Sequence, residues 1–139
     1  RKAVRLDDEN PEIWYMLGKA HYARKEIKDP LRCYREALKH DAYYSEVWTD
    51  LGKMILRDGF VERSIPFFEK AYKILGDVPG INYILASFYL HTGRTDGSLK
   101  HLLYALEGDK DMFRDFHDIF PEKLLTRKMK KLLSEYNLR

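Results

Sequence analysis

Four alanines, Ala3, Ala37, Ala71 and Ala105, stand 34 residues apart, and the last three lie in similar runs, "YREALKHD", "FEKAYKIL" and "LLYALEGD". A fixed period of a few tens of residues constrains the fold more than any local motif. Each unit is then a supersecondary element that can bury its apolar face only against its neighbours. At this period Trp14 aligns with Trp48, Leu17 with Leu51 and Leu85, and Gly18 with Gly52 and Ala86; Gly59 aligns with Gly93, and Tyr34 with Phe68 and Leu102. Trp14, Leu17, Gly18 and His21 lie three or four apart and share one helical face. Gly59 and Gly93 mark a break where a residue free to take positive φ ends a helix. A second set at helical spacing follows, as in Ile65, Phe68, Ala71, Tyr72 and Leu75, so each unit reads as helix, turn, helix.

Two prolines bear on this pattern. Asp29 before Pro30 reads as an N-cap followed by proline at the first helical position. Pro66 is expected within about the first turn of "VERSIPFFEKAYKIL", where its missing amide proton would have no intrahelical partner. Small residues at the Gly18 and Ala37 positions let helices approach closely, and the aromatic positions fill the space between them.

The run W-x-x-L-G at Trp14 to Gly18 and again at Trp48 to Gly52, with Ala37 and Ala71 further on, resembles the tetratricopeptide repeat family. The likeness covers residues 1 to about 112. Pro30, Ser64 and Ser98 stand where the family favours alanine, and Asn82 replaces its tryptophan in the third unit. The resemblance implies an all-α, right-handed helical solenoid of antiparallel helix pairs. In the family's phase residues 1–10 are the end of a preceding repeat, so the chain is expected to be a slice of a longer array. Repeats would occupy 11–44, 45–78 and 79–112, followed by a C-terminal pair of capping helices over 113–139. A chain that starts inside a repeat is expected to leave part of the Trp14 helix bare and to self-associate weakly through that end.

The C-terminal part departs from the repeat. Met112, Phe113, Phe116, Ile119 and Phe120 keep helical spacing, Pro121 reads as the start of a second helix, and Leu124, Leu125, Met129, Leu132, Leu133 and Tyr136 form one stripe. Arg127, Lys128, Lys130 and Lys131 take the other side. A solenoid needs an end element with a polar outer face, and this pair supplies one. Six Lys or Arg against two Glu after residue 120 place the positive excess of the whole chain, +3, in this tail. Four basic residues on one helix are read as a solvated face rather than a nucleic-acid site.

Signals for other functions are poor. A chain 45% hydrophobic and 34% charged suits a folded, water-soluble globule. No run approaches the length of a membrane span, and no basic-apolar leader is present, so of the compartments the cytoplasm is slightly favoured. The single Cys33 makes no internal disulfide and reads as a small core residue. No phosphate loop, H-E-x-x-H or G-x-S-x-G is present, so no catalytic residue and no enzyme activity are expected. The acidic run "GDKDMFRDFHD" lacks the central glycine and terminal glutamate of a calcium loop, and its phenylalanines argue for an amphipathic helix. His21 falls on the buried face, while His40 and His101 have no partners at ligand spacing, so neither metal nor cofactor is expected.

Binding remains. By resemblance to the family, the concave face of the array is lined by the first helix of each unit and takes a peptide or a partner protein. Helical geometry selects Tyr15, Lys19 and Tyr22 in the first unit, Thr49, Lys53 and Arg57 in the second, and Tyr83, Ser87 and His91 in the third as the groove. Tyrosines mixed with Lys and Arg suit an acidic peptide, although Glu12 and Glu46 lie at the edge. The carboxylate clamp of chaperone-tail binders would need basic and asparagine residues where this chain has Tyr15, Lys19, Asp50, Gly80 and Ile84, so that specificity is not expected. The asparagine ladder of glycosyltransferase superhelices is absent too, with Met16, Asp50 and Ile84 on its rungs. The alternative is a regulatory or substrate-presenting segment of a larger enzyme whose catalytic domain lies elsewhere.

Overall fold

A computed structural model describes residues 10–24 and 28–138, with Lys28 and Asp29 as backbone only. Among the described residues the chain is all-α, without a strand. Helices run over Pro11–Ala23 (α1), Lys28–His40 (α2), Ser45–Asp58 (α3), Val61–Leu75 (α4), Pro79–His91 (α5) and Thr95–Asp109 (α6). A short helix, Phe113–Phe116 (α7), lies between the 3-10 turns Lys110–Met112 and His117–Ile119, and a further 3-10 turn, Glu122–Leu124, precedes Arg127–Glu135 (α8). The readings placed on Arg1 to Glu9, including Ala3 and the preceding repeat, and on the Asp29 side chain lie outside the described residues.

The chain divides into two compact units, residues 1–51 and 52–139, with the boundary inside α3. In the first unit α1 begins as its sequence dictates: Asn10 caps it by accepting from the Glu12 amide at 2.9 Å, and Pro11 takes the first helical position. Gly18 then permits the approach of α2, since a Cβ there would sit 2.7 Å from the Tyr34 ring and 3.2 Å from the Cys33 Cβ. Cys33, Tyr34 and Ala37 form the buried side of α2, and the Trp48 indole N–H donates to the Ala42 carbonyl at 2.7 Å. Helix α2 is already formed at Lys28, so Pro30 is its third residue rather than its first. Its missing N–H is still among the four that lack an intrahelical acceptor. His21 is half-buried rather than a packed core residue, because its ring lies at the edge near the exposed Arg24 guanidinium, 3.4 Å away.

In the second unit the pairing of helices is antiparallel, as the register of contacts shows. Gly108 meets Pro79, His101 meets Asn82 and Ser98 meets Ala86, so position numbers fall on α5 as they rise on α6. The same reversal joins α4 to α5: Glu62 near the start of α4 pairs at 3.1 Å with Arg94 just past the end of α5, while Phe68 further along packs edge-on against Phe88 at 5.0 Å. Gly59 and Gly93 take positive φ, 83° and 80°, and end α3 and the α5 turn where the break in the pattern predicts. Pro66 departs from expectation. It is the sixth residue of α4, so its missing N–H deprives the Glu62 carbonyl of its helical donor, which an exposed residue in the first turn tolerates.

Helix α5 is buried on every side, with Gly80 through Leu90 all buried. Helices α4 and α6 cover two of its flanks, and α3 meets it at Gly52 against Ile84. A further flank is covered by the segment after α6, and this is where the C-terminal part differs from a simple pair of capping helices. Residues 110–119 do not form one amphipathic helix but a chain of single turns, because Phe113, Phe116, Ile119 and Phe120 must all reach the same surface while the backbone follows it. Pro121 does not start a helix; its ψ of 136° is extended. The last helix starts instead after Thr126, whose hydroxyl accepts from the Met129 amide at 3.2 Å. Met129 and Leu133 are fully buried and Leu125 nearly so, while Leu124 and Leu132 are half-buried. Arg127, Lys128, Lys130 and Lys131 all face solvent.

Candidate functional site: the first-helix faces

In the first unit the candidate surface is organised around Tyr15. Its hydroxyl donates to Asp50 Oδ2 at 2.6 Å, and its ring lies 5.2 Å from Tyr44 and 6.0 Å from Tyr34. Burial, and then the Asp50 carboxylate, push the phenol well above its ordinary pKa, so it stays a neutral donor at any physiological pH. The exposed Lys19, one turn on, holds its ammonium 5.1 Å over the Tyr15 ring. Tyr22 is half-buried further along the same helix. Thr49, also half-buried, turns its hydroxyl inward to the Ser45 carbonyl at 3.1 Å, the usual habit of a mid-helix threonine, and so presents its methyl group. Helical geometry alone did not select Asp50 for this face, although its spacing from Tyr15, one period and one residue, is visible in the sequence.

In the second unit the candidate residues have a different environment. Tyr83 and Ser87 are fully buried, not groove-lining and open. The Tyr83 ring stacks on Phe116 with centroids 4.7 Å apart and 16° between planes, and its hydroxyl donates to the Asp109 carbonyl at 2.7 Å. Ser87 Oγ donates to the Ile119 carbonyl at 2.8 Å. Lys53, at the corresponding place on α3, donates to the Asp115 carbonyl, pairs with the Asp118 carboxylate at 3.2 Å, and lies 5.9 Å from the Phe116 ring centre. His91 is exposed and bonded through Nδ1 to the Ser87 carbonyl, and Arg57 is exposed on α3. The first-helix face of this unit is thus occupied by residues 109–120 of the same chain. Reading that segment as an end cap missed this role, although its mixture of aspartates and phenylalanines matches the chemistry expected of a ligand for the face.

A second feature lies between α4, α5 and α6. His101 Nδ1–H donates to Asn82 Oδ1 at 2.8 Å, and the Asn82 amide donates to Asp77 Oδ1 at 3.3 Å. The imidazole is ringed by Tyr72, Tyr89 and Tyr104, with centroids 4.8, 5.6 and 5.9 Å away. Asn82 therefore does not weaken the third unit as an exchanged tryptophan would suggest; it satisfies a buried histidine. Ser98, likewise out of keeping with the family pattern, ties α6 to α5 by donating to the Ala86 carbonyl at 2.7 Å. Among the described residues no three His, Cys, Asp or Glu side chains gather at metal-binding distance, and no helix is long and apolar enough to cross a membrane.

With this geometry in place, comparison with known structures defines the class: the fold is that of tetratricopeptide-like helical-repeat proteins. The solved structure of MamA protein matches with a TM-score of 0.58 at 22% identity, over 80% of this chain and 61% of that one. The chain thus spans less than two-thirds of the MamA chain, and at that identity the likeness shows the fold alone. No protein-family model and no curated protein matches the chain.

Proposed function

We propose that the chain is a protein-interaction module that binds a peptide or partner protein on the faces presented by the first helices of its repeats, taken as 11–44, 45–78 and 79–112, with 113–139 as the terminal element. The observation that carries this reading is the Tyr15 and Lys19 arrangement. A tyrosine fixed by Asp50 and by two neighbouring rings, with a cation above it and solvent beyond, loses little freedom when it meets a ligand. A helical-repeat fold that offers such surfaces supports a scaffold role, and the positive charge favours an acidic ligand. Affinity is expected to be about micromolar, roughly 8 kcal/mol, and to weaken with salt because Lys19 is exposed. The test is an acidic peptide library screened against the wild type and Lys19→Glu. Retention of acidic peptides that is lost in the variant supports the reading; equal binding by both removes Tyr15 and Lys19 from the site.

A further inference from the structure

The segment 109–120 is held as a bound peptide is held, not as a helix end is packed. After Asp109, the last residue of α6, its backbone makes no continuous helix; the carbonyl of Asp109 is taken by Tyr83 at 2.7 Å and that of Ile119 by Ser87 at 2.8 Å, both side chains of α5. A third carbonyl, that of Asp115, is taken by Lys53 of α3, which also meets Asp118. Side-chain donors directed at a neighbour's main chain read backbone position, while pockets for alternate side chains read sequence. Here the side chains so read are Phe113, Phe116 and Phe120, all buried, with Phe116 stacked on Tyr83. The aspartates Asp111, Asp115 and Asp118 stay at the surface beside them.

From this arrangement we infer that the α3–α5 face of the second unit recognises acidic peptides carrying phenylalanines three to four residues apart, and that residues 109–120 are its built-in competitor. An incoming peptide of this chemistry takes the Lys53, Tyr83 and Ser87 donors as the internal segment leaves them. The inference rests on the reading that first-helix faces bind peptides, and adds the ligand's chemistry and the control over access. Apparent affinity for an external ligand scales with the fraction of molecules in which the face is open, so the internal segment acts as a gate without touching the partner. The contacts differ in how readily they yield. Lys53 and Asp118 form a pair in which the carboxylate side chain is 68% exposed, whereas Phe116 is fully inaccessible. Loss of Phe116 therefore opens the face far more than loss of the ion pair.

The test uses the full chain and a labelled synthetic peptide with the sequence of residues 109–120, followed by fluorescence anisotropy, with circular dichroism to check helicity. Phe116→Ala is expected to bind this peptide roughly tenfold or more tighter than the wild type, and Asp118→Lys a few-fold tighter, as the internal competitor weakens. Adding Lys53→Glu to either variant is expected to abolish the gain. Should Phe116→Ala lose its helical spectrum, Asp118→Lys decides alone. Equal binding by the wild type and the folded variants overturns the inference. If acidic library peptides are then still held through Lys19, the wider reading of function stands while this one falls; if no peptide is held by any form, both fall.

Discussion

Gly52→Ala tests how closely α3 and α5 approach. A Cβ at Gly52 would lie 2.2 Å from Ile84 Cδ1, 2.6 Å from Cγ1 and 2.8 Å from Cγ2, where ordinary carbon contacts are about 3.5–4.0 Å. Rotation about χ1 of Ile84 cannot clear the clash, because Cγ1 and Cγ2 branch from the same carbon and one replaces the other. Ile84 itself is fully buried, so it has no free space to enter. Replacing glycine by alanine inside a helix gains about 1 kcal/mol of helix propensity, whereas overpacking a core costs about 1–3 kcal/mol. The net expectation is a loss of about 0–2 kcal/mol, or roughly 4 °C in melting temperature per kcal/mol for a chain of this size. Ile84→Ala alone should cost about 2–5 kcal/mol through the cavity it leaves. In the double variant the new methyl group enters that cavity, so the combined loss should fall short of the sum by about 1–2 kcal/mol. Urea denaturation of the wild type, both single variants and the double variant measures this coupling. If Gly52→Ala is stabilising, or the two losses add to within about 0.5 kcal/mol, the close approach of these helices does not limit the packing.

Two further outcomes are expected. Burial first, and the Lys100 charge second, hold the His101 imidazole below its ordinary pKa of 6.5, against the opposing pull of Asp77 and Glu69. The folded state thus prefers neutral His101, the unfolded chain takes up its proton first, and stability is complete above pH 6.5 and declines as pH falls from there toward the folded pKa. Denaturation midpoints at pH 7.5 and 5.5 should differ less in His101→Gln, which keeps a donor for Asn82 but does not titrate; an unchanged difference would place the pH dependence elsewhere. Separately, Leu133→Ala should cost about 2–5 kcal/mol, since Leu133 is fully buried in the terminal helix, and an unchanged melting temperature would mean that the helix does not dock on the repeat.

Much of the fold was legible because a repeat states its rules several times. Gly18 and Gly52, and the positive-φ positions Gly59 and Gly93, recur at one spacing, so the sequence marks both close approaches and breaks. What the pattern could not convey lies where residues leave it. Asn82 and Ser98 look like lost family positions when taken singly, and only the register of α5 against α6 brings them to His101 and to the Ala86 carbonyl. The candidate surface was legible by halves. Helical periodicity placed Tyr15 and Lys19 together on one face, but it carries no information about what covers a face. Tyr83 and Ser87 were therefore read as open, although the phenylalanines that bury them lie some thirty residues further along. The turn-by-turn path of residues 110–119 escaped the helical reading because spacing of three and four is shared by one helix and by a succession of 3-10 and α turns.

Helix α8 carries its charges against its own dipole. Arg127 and Lys128 open it, no acidic residue stands in its first turn, and Glu135 closes it, so both ends oppose the partial charges of the backbone. At nine residues it is also shorter than a helix that persists alone in water, for which about 12–15 are needed. Its helical form is therefore on loan from the surface it covers: Met129 and Leu133 order it only while they are docked, and it unwinds when they leave. Salt, by shielding the misplaced charges, lowers the cost of holding that helical form while it is docked.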